Sequence, residues 1–184
     1  MAGTLSVQKI QGLATSAAPT TVEIASGHTL SGAVTGNITH GTSSVFPAGH
    51  IIQIVVKTSS SSTTIGGSSL TSFGLSQSFT PKFATSNILI IASLAGEHYN
   101  ANDMGLRVDL TKDGSQFRYW AYLDYHSSDA SQNISIQTLQ WYGTVDNTNA
   151  RTYEFRACSS NAGGTARMNQ YNSPSTMTIM EIAG

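Results

Sequence analysis

From residue 74 to residue 182 the chain is divided into eight short runs, 74–80, 87–94, 104–111, 117–125, 132–142, 152–159, 166–170 and 176–182, separated by turn-forming clusters. The clusters are Thr111-Lys112-Asp113-Gly114, Ser127-Ser128-Asp129, Asp146-Asn147-Thr148-Asn149 and Asn161-Ala162-Gly163-Gly164. An apolar pattern of helical spacing nowhere continues for three turns, so helices cannot build the core. Short strands at regular intervals with Gly, Asn and Asp turns predict an all-β fold, a β-sandwich of the jelly-roll kind. A further strand is expected at 51–57, after a Pro47-Ala48-Gly49 turn, whereas 58–72, rich in Ser, Thr and Gly, reads as a loop or an irregular edge segment.

Composition fits this reading. Ser and Thr together occupy 48 of 184 positions, while charged residues make up 10%, against about 25% in an average soluble domain. Thr favours strands and Ser favours turns. The net charge is −1 and the basic residues form no run, which argues against a nucleic-acid footprint. Cys158 is the single cysteine, so an intrachain disulfide and paired-cysteine metal sites are excluded. The N-terminal residues lack an apolar segment of secretory length, and the longest apolar run, 88–92, is too short to span a membrane as a helix. A soluble chain made in the cytoplasm is expected.

Ahead of the predicted sandwich lies a segment with another logic. From residue 22 to 40 one parity of the chain carries Val22, Ile24, Leu30, Val34 and Ile38, together with His28, Gly32, Gly36 and His40. The opposite parity is small and polar. An extended chain would therefore have one apolar face interrupted by glycines. About 20 residues cannot supply a second layer to cover that face, but three copies of the chain could cover it for one another. Glycine would then admit the neighbouring backbones. The expected organisation is a virion-anchoring arm at 1–20, a trimeric β stem at 21–44 and a sandwich head at 45–184. An ordinary strand followed by a glycine-rich turn is the alternative.

The segments MAGTLSVQKIQ (1–11), FPAGHIIQIVVKT (46–58), GLSQSFTPKFATSNILIIASLAG (74–96) and STMTIMEIAG (175–184) together resemble the small structural proteins of tailed phages, marine and cyanobacterial ones especially. The resemblance runs along the whole chain and rests on strands and turns, without a catalytic signature. It implies a homotrimeric virion protein made in the host cytoplasm, attached by its N-terminal arm. Its head would be a jelly roll similar to the tumour-necrosis-factor and complement heads. The last strand is apolar on both faces, so Met177, Ile179, Met180 and Ile182 are expected between the domain core and a three-fold axis. The implied role is a short tail fibre or spike for host attachment. Alternatives are a capsid decoration, knob or adaptor protein and, from the enzyme class, a polysaccharide depolymerase.

Residues capable of chemistry are few. Glu97, His98 and Asp103 fall within GEHYNAND (96–103), which reads as a solvated loop; a carboxylate pair there is the weak case for glycoside hydrolysis. No nucleophile, zinc-protease or phosphate-loop motif is present, so no enzyme activity and no cofactor are expected. His28 and His40 could form three-fold imidazole rings in a stem, but without an H-x-H pair they are weak metal candidates. Cys158 reads as a small core residue. Tyr99 with Asn100, Asn102 and Asp103, and Tyr125 with His126, are the candidate contacts for a host polysaccharide or protein receptor. Rings stack on sugar faces while amides bind hydroxyls. Phe117 and Tyr119 are expected to pack inside the sandwich.

Overall fold

In a computed structural model the chain divides into two compact units, Met1–His40 and Gly41–Gly184. The residues described are 48–99, 104–126 and 133–184, all in the second unit. The arm, the stem and the histidines His28 and His40 lie outside them.

Ten strands and one 3-10 turn make up the described chain. They are β1 (Ile51–Ser59), β2 (Thr63–Gly66), β3 (Thr71–Phe79), β4 (Asn87–Tyr99), β5 (Met104–Lys112), β6 (Ser115–His126), β7 (Asn133–Thr144), β8 (Arg151–Ser159), β9 (Thr165–Met168), η1 (Gln170–Asn172) and β10 (Ser175–Ile182). Five antiparallel pairings nest inside one another: β1 with β10, β2 with β9, β3 with β8, β4 with β7 and β5 with β6. The described strands thus follow the path of one long hairpin. Lateral pairing of β10 with β4 and of β5 with β8 rolls it into two facing sheets. That is a jelly roll.

The first sheet has six strands and the second four, β3-β8-β5-β6. β4 is the hub of the larger sheet. β7 takes one flank of β4 over its whole length. The other flank is shared, with β10 along Asn87 to Ser93 and β9 along Gly96 to Tyr99.

Inward side chains follow the two-residue period of a strand. Ile88, Ile90, Ala92 and Leu94 of β4 meet Met177 and Ile179 of β10 on one side of the core. Phe73, Leu75 and Phe79 of β3, Leu106, Val108 and Leu110 of β5, and Phe155 of β8 supply the other. Full burial of each such side chain contributes about 1.5–3 kcal/mol. Cys158 is also fully buried, as expected.

Four expectations need correction. The segment 58–72 contains β2, which pairs with β9 and buries Ile65. Glu97 and His98 lie in β4 with 0% and 2% exposure, not on a solvated loop. Met177 and Ile179 are enclosed in the core of a single chain, so they cannot line an intersubunit axis. Tyr119 points outward, 63% exposed. Its reversal has a physical cause. Bulges in the β5–β6 pairing stretch the inward spacing on β6 from two residues to three. Phe117, Trp120 and Leu123 therefore pack against the core, while Tyr119 stands opposite Asp109 on the outer face.

Two polar networks fix the roll, one at an end and one where β4 changes partners. The Glu181 carboxylate is fully buried and accepts hydrogen bonds from the backbone N–H groups of Lys82 and Phe83, at 2.9 Å each, and from Gln53 Nε2 at 2.6 Å. It holds the β3–β4 turn at the end where β1 begins. Where β4 changes partner from β10 to β9, Asn169, 1% exposed, accepts from Ser175 N and Oγ and donates to Ser59 Oγ and Ser61 O. Its own N–H donates to Ala95 O. One amide thereby joins β1, β4 and β10.

Candidate interaction surfaces

Directly paired residues in antiparallel strands share a face, so the register defines what each sheet presents outward. On the six-stranded sheet one row is Ile54–Met180–Leu89–Tyr142 and the next is Val56–Thr178–Ile91–Gln140. The flanking rows are Ile51–Ile182–Asn87–Thr144 on one side and Thr58–Thr176–Ser93–Thr138 on the other, and beyond the latter, over only two strands, comes Ala95–Ile136. Ile54, Val56 and Tyr142 are more than half exposed, and Ile136 is 70% exposed. Met180, Ile182, Leu89 and Ile91 are half-buried by their neighbours. These rows contain no charged residue. Charge returns only at the far end, where buried Glu97 pairs with Arg167 of β9, Oε1 to Nη1 at 3.3 Å.

The four-stranded sheet is the opposite case. Its outer rows read Ser72–Arg156–Asp109–Tyr119 and Ser76–Glu154–Thr111–Gln116. Asp109 is fully buried although it is on the outer face. Arg107 grips it with two bonds, Nε to Oδ1 at 2.8 Å and Nη2 to Oδ2 at 2.9 Å, and Gln116 Nε2 adds a third at 2.7 Å. The bond to Asp109 holds the Arg107 guanidinium above its already high ordinary pKa, against the cost of burial. Arg107 also covers the Tyr119 ring at 5.4 Å, and Arg156 pairs with Glu154 at 2.7 Å. The polar groups of this face are thus largely spent on one another.

Of the sequence-predicted contact residues, Tyr99, Tyr125 and His126 fall at the ends of strands. Tyr99 ends β4, and Met104 at the start of β5 pairs with His126 at the end of β6. Tyr125 is 45% exposed there. Asn100, Asn102 and Asp103 lie outside the described residues, as do the side chains of Tyr99 and His126. The His98 backbone N–H donates to Asp124 Oδ2 at 3.2 Å, so β4 is tied to β6 at that end. The exposed Ile136 and Tyr142 were not anticipated. Their signal was an apolar residue on the parity of β7 opposite to Leu139 and Trp141.

Among the described residues no group of three His, Cys, Asp or Glu side chains converges on a metal-sized space. A cleft of about 20 Å³ lies at the end where β1 begins, lined by Pro81, Trp141, Asp146, Arg151 and Tyr153 among others; that is room for about one water. Burial raises the thiol pKa of Cys158, with Arg107 acting in the opposite direction. A buried thiol of raised pKa is a poor nucleophile.

No family model matches the chain, and no curated protein does. Solved structures give low-similarity overlaps with particles of infectious bursal disease virus. The VP2 subviral particle shares 15% identity over 72% of this chain and 37% of that one, with a TM-score of 0.38. The Gt strain structure shares 12% over 81% and 42%, with a TM-score of 0.41. The chain spans less than half the length of either.

Proposed function

We propose that this chain is a non-enzymatic structural protein of a virion, assembled as a homotrimer that acts as a short tail fibre or spike. The observation that carries the proposal is the contrast between the two outer sheet faces. One is charge-free over four successive rows and carries exposed or half-exposed Ile54, Met180, Leu89, Tyr142, Val56 and Ile91 side by side, whereas the other satisfies its own polar groups. An exposed apolar area beyond a few hundred Å² marks an interaction site, and obligate interfaces resemble a core cut in two. Met180 and Ile182, on the outward parity of β10, are the C-terminal residues that face a neighbouring copy. Val22, Ile24, Leu30, Val34 and Ile38, with Gly32 and Gly36, would extend the same contact as an intertwined stem.

The end of β4 at Tyr99 and the end of β6 near Tyr125 lie away from the start of β1, and the candidate contact residues Asn100, Asn102 and Asp103 follow Tyr99 in sequence. Loops there would meet a host surface ligand, with three copies adding avidity. The same apolar face could instead seat a decoration or adaptor protein on a particle neighbour. Copy number per virion separates the two roles: a fibre gives a small tail-localised set and a decoration gives a capsid-wide one. Incubation with host polysaccharide tests the non-enzymatic assignment, since release of reducing ends would overturn it.

A further inference from the structure

Tyr171 is held in a conformation that its own chemistry disfavours. Its φ is 52° and ψ 40°, and Asn169 and Asn172 on either side also have left-handed φ values of 58° and 59°. Asparagine visits this region readily; a tyrosine there brings Cβ against its own carbonyl and costs free energy. Such strain persists only where the surroundings enforce it. Here the enforcement is visible, because buried Asn169 is locked by its bonds to β1, β4 and β10, and Gln170 Nε2 donates to Ser62 Oγ at 2.7 Å. The effect is to carry the Tyr171 ring outward to 67% exposure, in the turn that joins β9 to β10.

The surroundings of the ring define what it could bind. Segments 60–62 and 169–175, SSS and NQYNSPS, contain no charged residue. Ser61, Ser62 and Asn172 are exposed hydroxyl and amide groups. No second exposed large apolar side chain among the described residues comes from these segments. A protein interface would need an apolar core around its aromatic anchor. A single ring amid neutral hydroxyls and amides instead matches a neutral sugar, whose C–H face stacks on the ring while its hydroxyls pair with the polar rim.

We infer that Tyr171, with Asn172 and the Ser61–Ser62 edge, is a preorganised contact site for a neutral polysaccharide. This rests on the reading of the protein as a host-attachment component. Single-ring sites bind weakly, with Kd on the order of 1 mM, so occupancy would depend on several copies acting together.

The test uses full-length protein and a panel of neutral gluco-, galacto- and manno-oligosaccharides, with alginate oligosaccharides as the charged control, read by saturation-transfer NMR. At least one neutral member should bind, and Tyr171→Gly should weaken it at least about tenfold. Because glycine relieves the left-handed strain, the same variant should melt at the same temperature or higher. Failure of every neutral oligosaccharide to bind, preference for alginate, unchanged binding by Tyr171→Gly, or a lowered melting temperature would each overturn the inference. Solution mass of the same samples keeps the two proposals apart. An assembled protein that binds no sugar refutes the contact site alone, and a monomer that binds refutes the assembly alone.

Discussion

Ile54 of β1 stands directly opposite Met180 of β10, and the pair faces away from the core of its own chain. Ile54 is 53% exposed in the single chain. Replacing it with Asp removes no core contact, so the unfolding free energy of the monomer should change by less than about 1 kcal/mol. Across an assembled interface the same charge would be buried without a partner, which costs several kcal/mol. Ile54→Asp, and independently Val56→Glu, should therefore abolish the assembled species while leaving the circular dichroism of the sandwich intact. Sedimentation velocity reads the result, and a variant that assembles normally would remove this face from the interface.

Glu181 gives a prediction about folding alone. Glu181→Ala strands the N–H groups of Lys82 and Phe83 that the carboxylate now accepts from, while Gln53 Nε2 keeps its bond to Thr80 O. Buried donors left unpaired cost about 1–3 kcal/mol each, so a loss of at least about 2 kcal/mol is expected in urea unfolding. Glu181→Gln keeps an acceptor oxygen and should cost less.

Stability should also fall in alkali, with a sign that follows from burial. The Cys158 thiol has its pKa raised by burial above the usual 9.0, and the Tyr153 phenol is raised above 10.0 by burial foremost. The folded state holds both protons more tightly than the unfolded chain does. The contribution of Cys158 is therefore complete below about pH 9 and is lost as pH rises through the elevated folded value. Urea midpoints of wild type and Cys158→Ala should diverge less as pH increases from 8 to 11, as linkage requires. A constant difference would show that the thiol has the same pKa in both states.

Gly96 tests the close packing where β4 changes partners. A Cβ at this position would lie 2.8 Å from Leu106 Cδ2 and 3.0 Å from Met168 Sδ. Gly96→Val should cost about 1–3 kcal/mol through overpacking, measurable as a lower thermal midpoint.

Much of this fold was legible because strand alternation and turn chemistry are local. The runs that became β5, β8 and β10 were bounded to within a residue or so. Three features were not local. β2 is a short edge strand whose Thr-rich sequence reads as loop until β9 pairs with it. Glu97 and His98 look like loop residues because burial of a charge becomes tolerable only once Arg167 arrives opposite, 70 positions away in sequence. The outward turn of Tyr119 depends on bulges, which shift the face of every later side chain and leave no period-two trace. Among the candidate contacts, the pairing of Met104 with His126 and the exposure of Tyr125 could be followed into the structure. Tyr171 was invisible as a special position, since its exposure is imposed by the buried amide of Asn169.

Assembly is the central claim, and the mass of the full-length protein in solution tests it most directly. The chain mass is 19.4 kDa. Light scattering coupled to size exclusion at micromolar concentration should give a single species of three chain masses. The Gly32→Val and Gly36→Val variants should form less of it while the sandwich stays folded. A folded, stable monomer at that concentration would contradict the account.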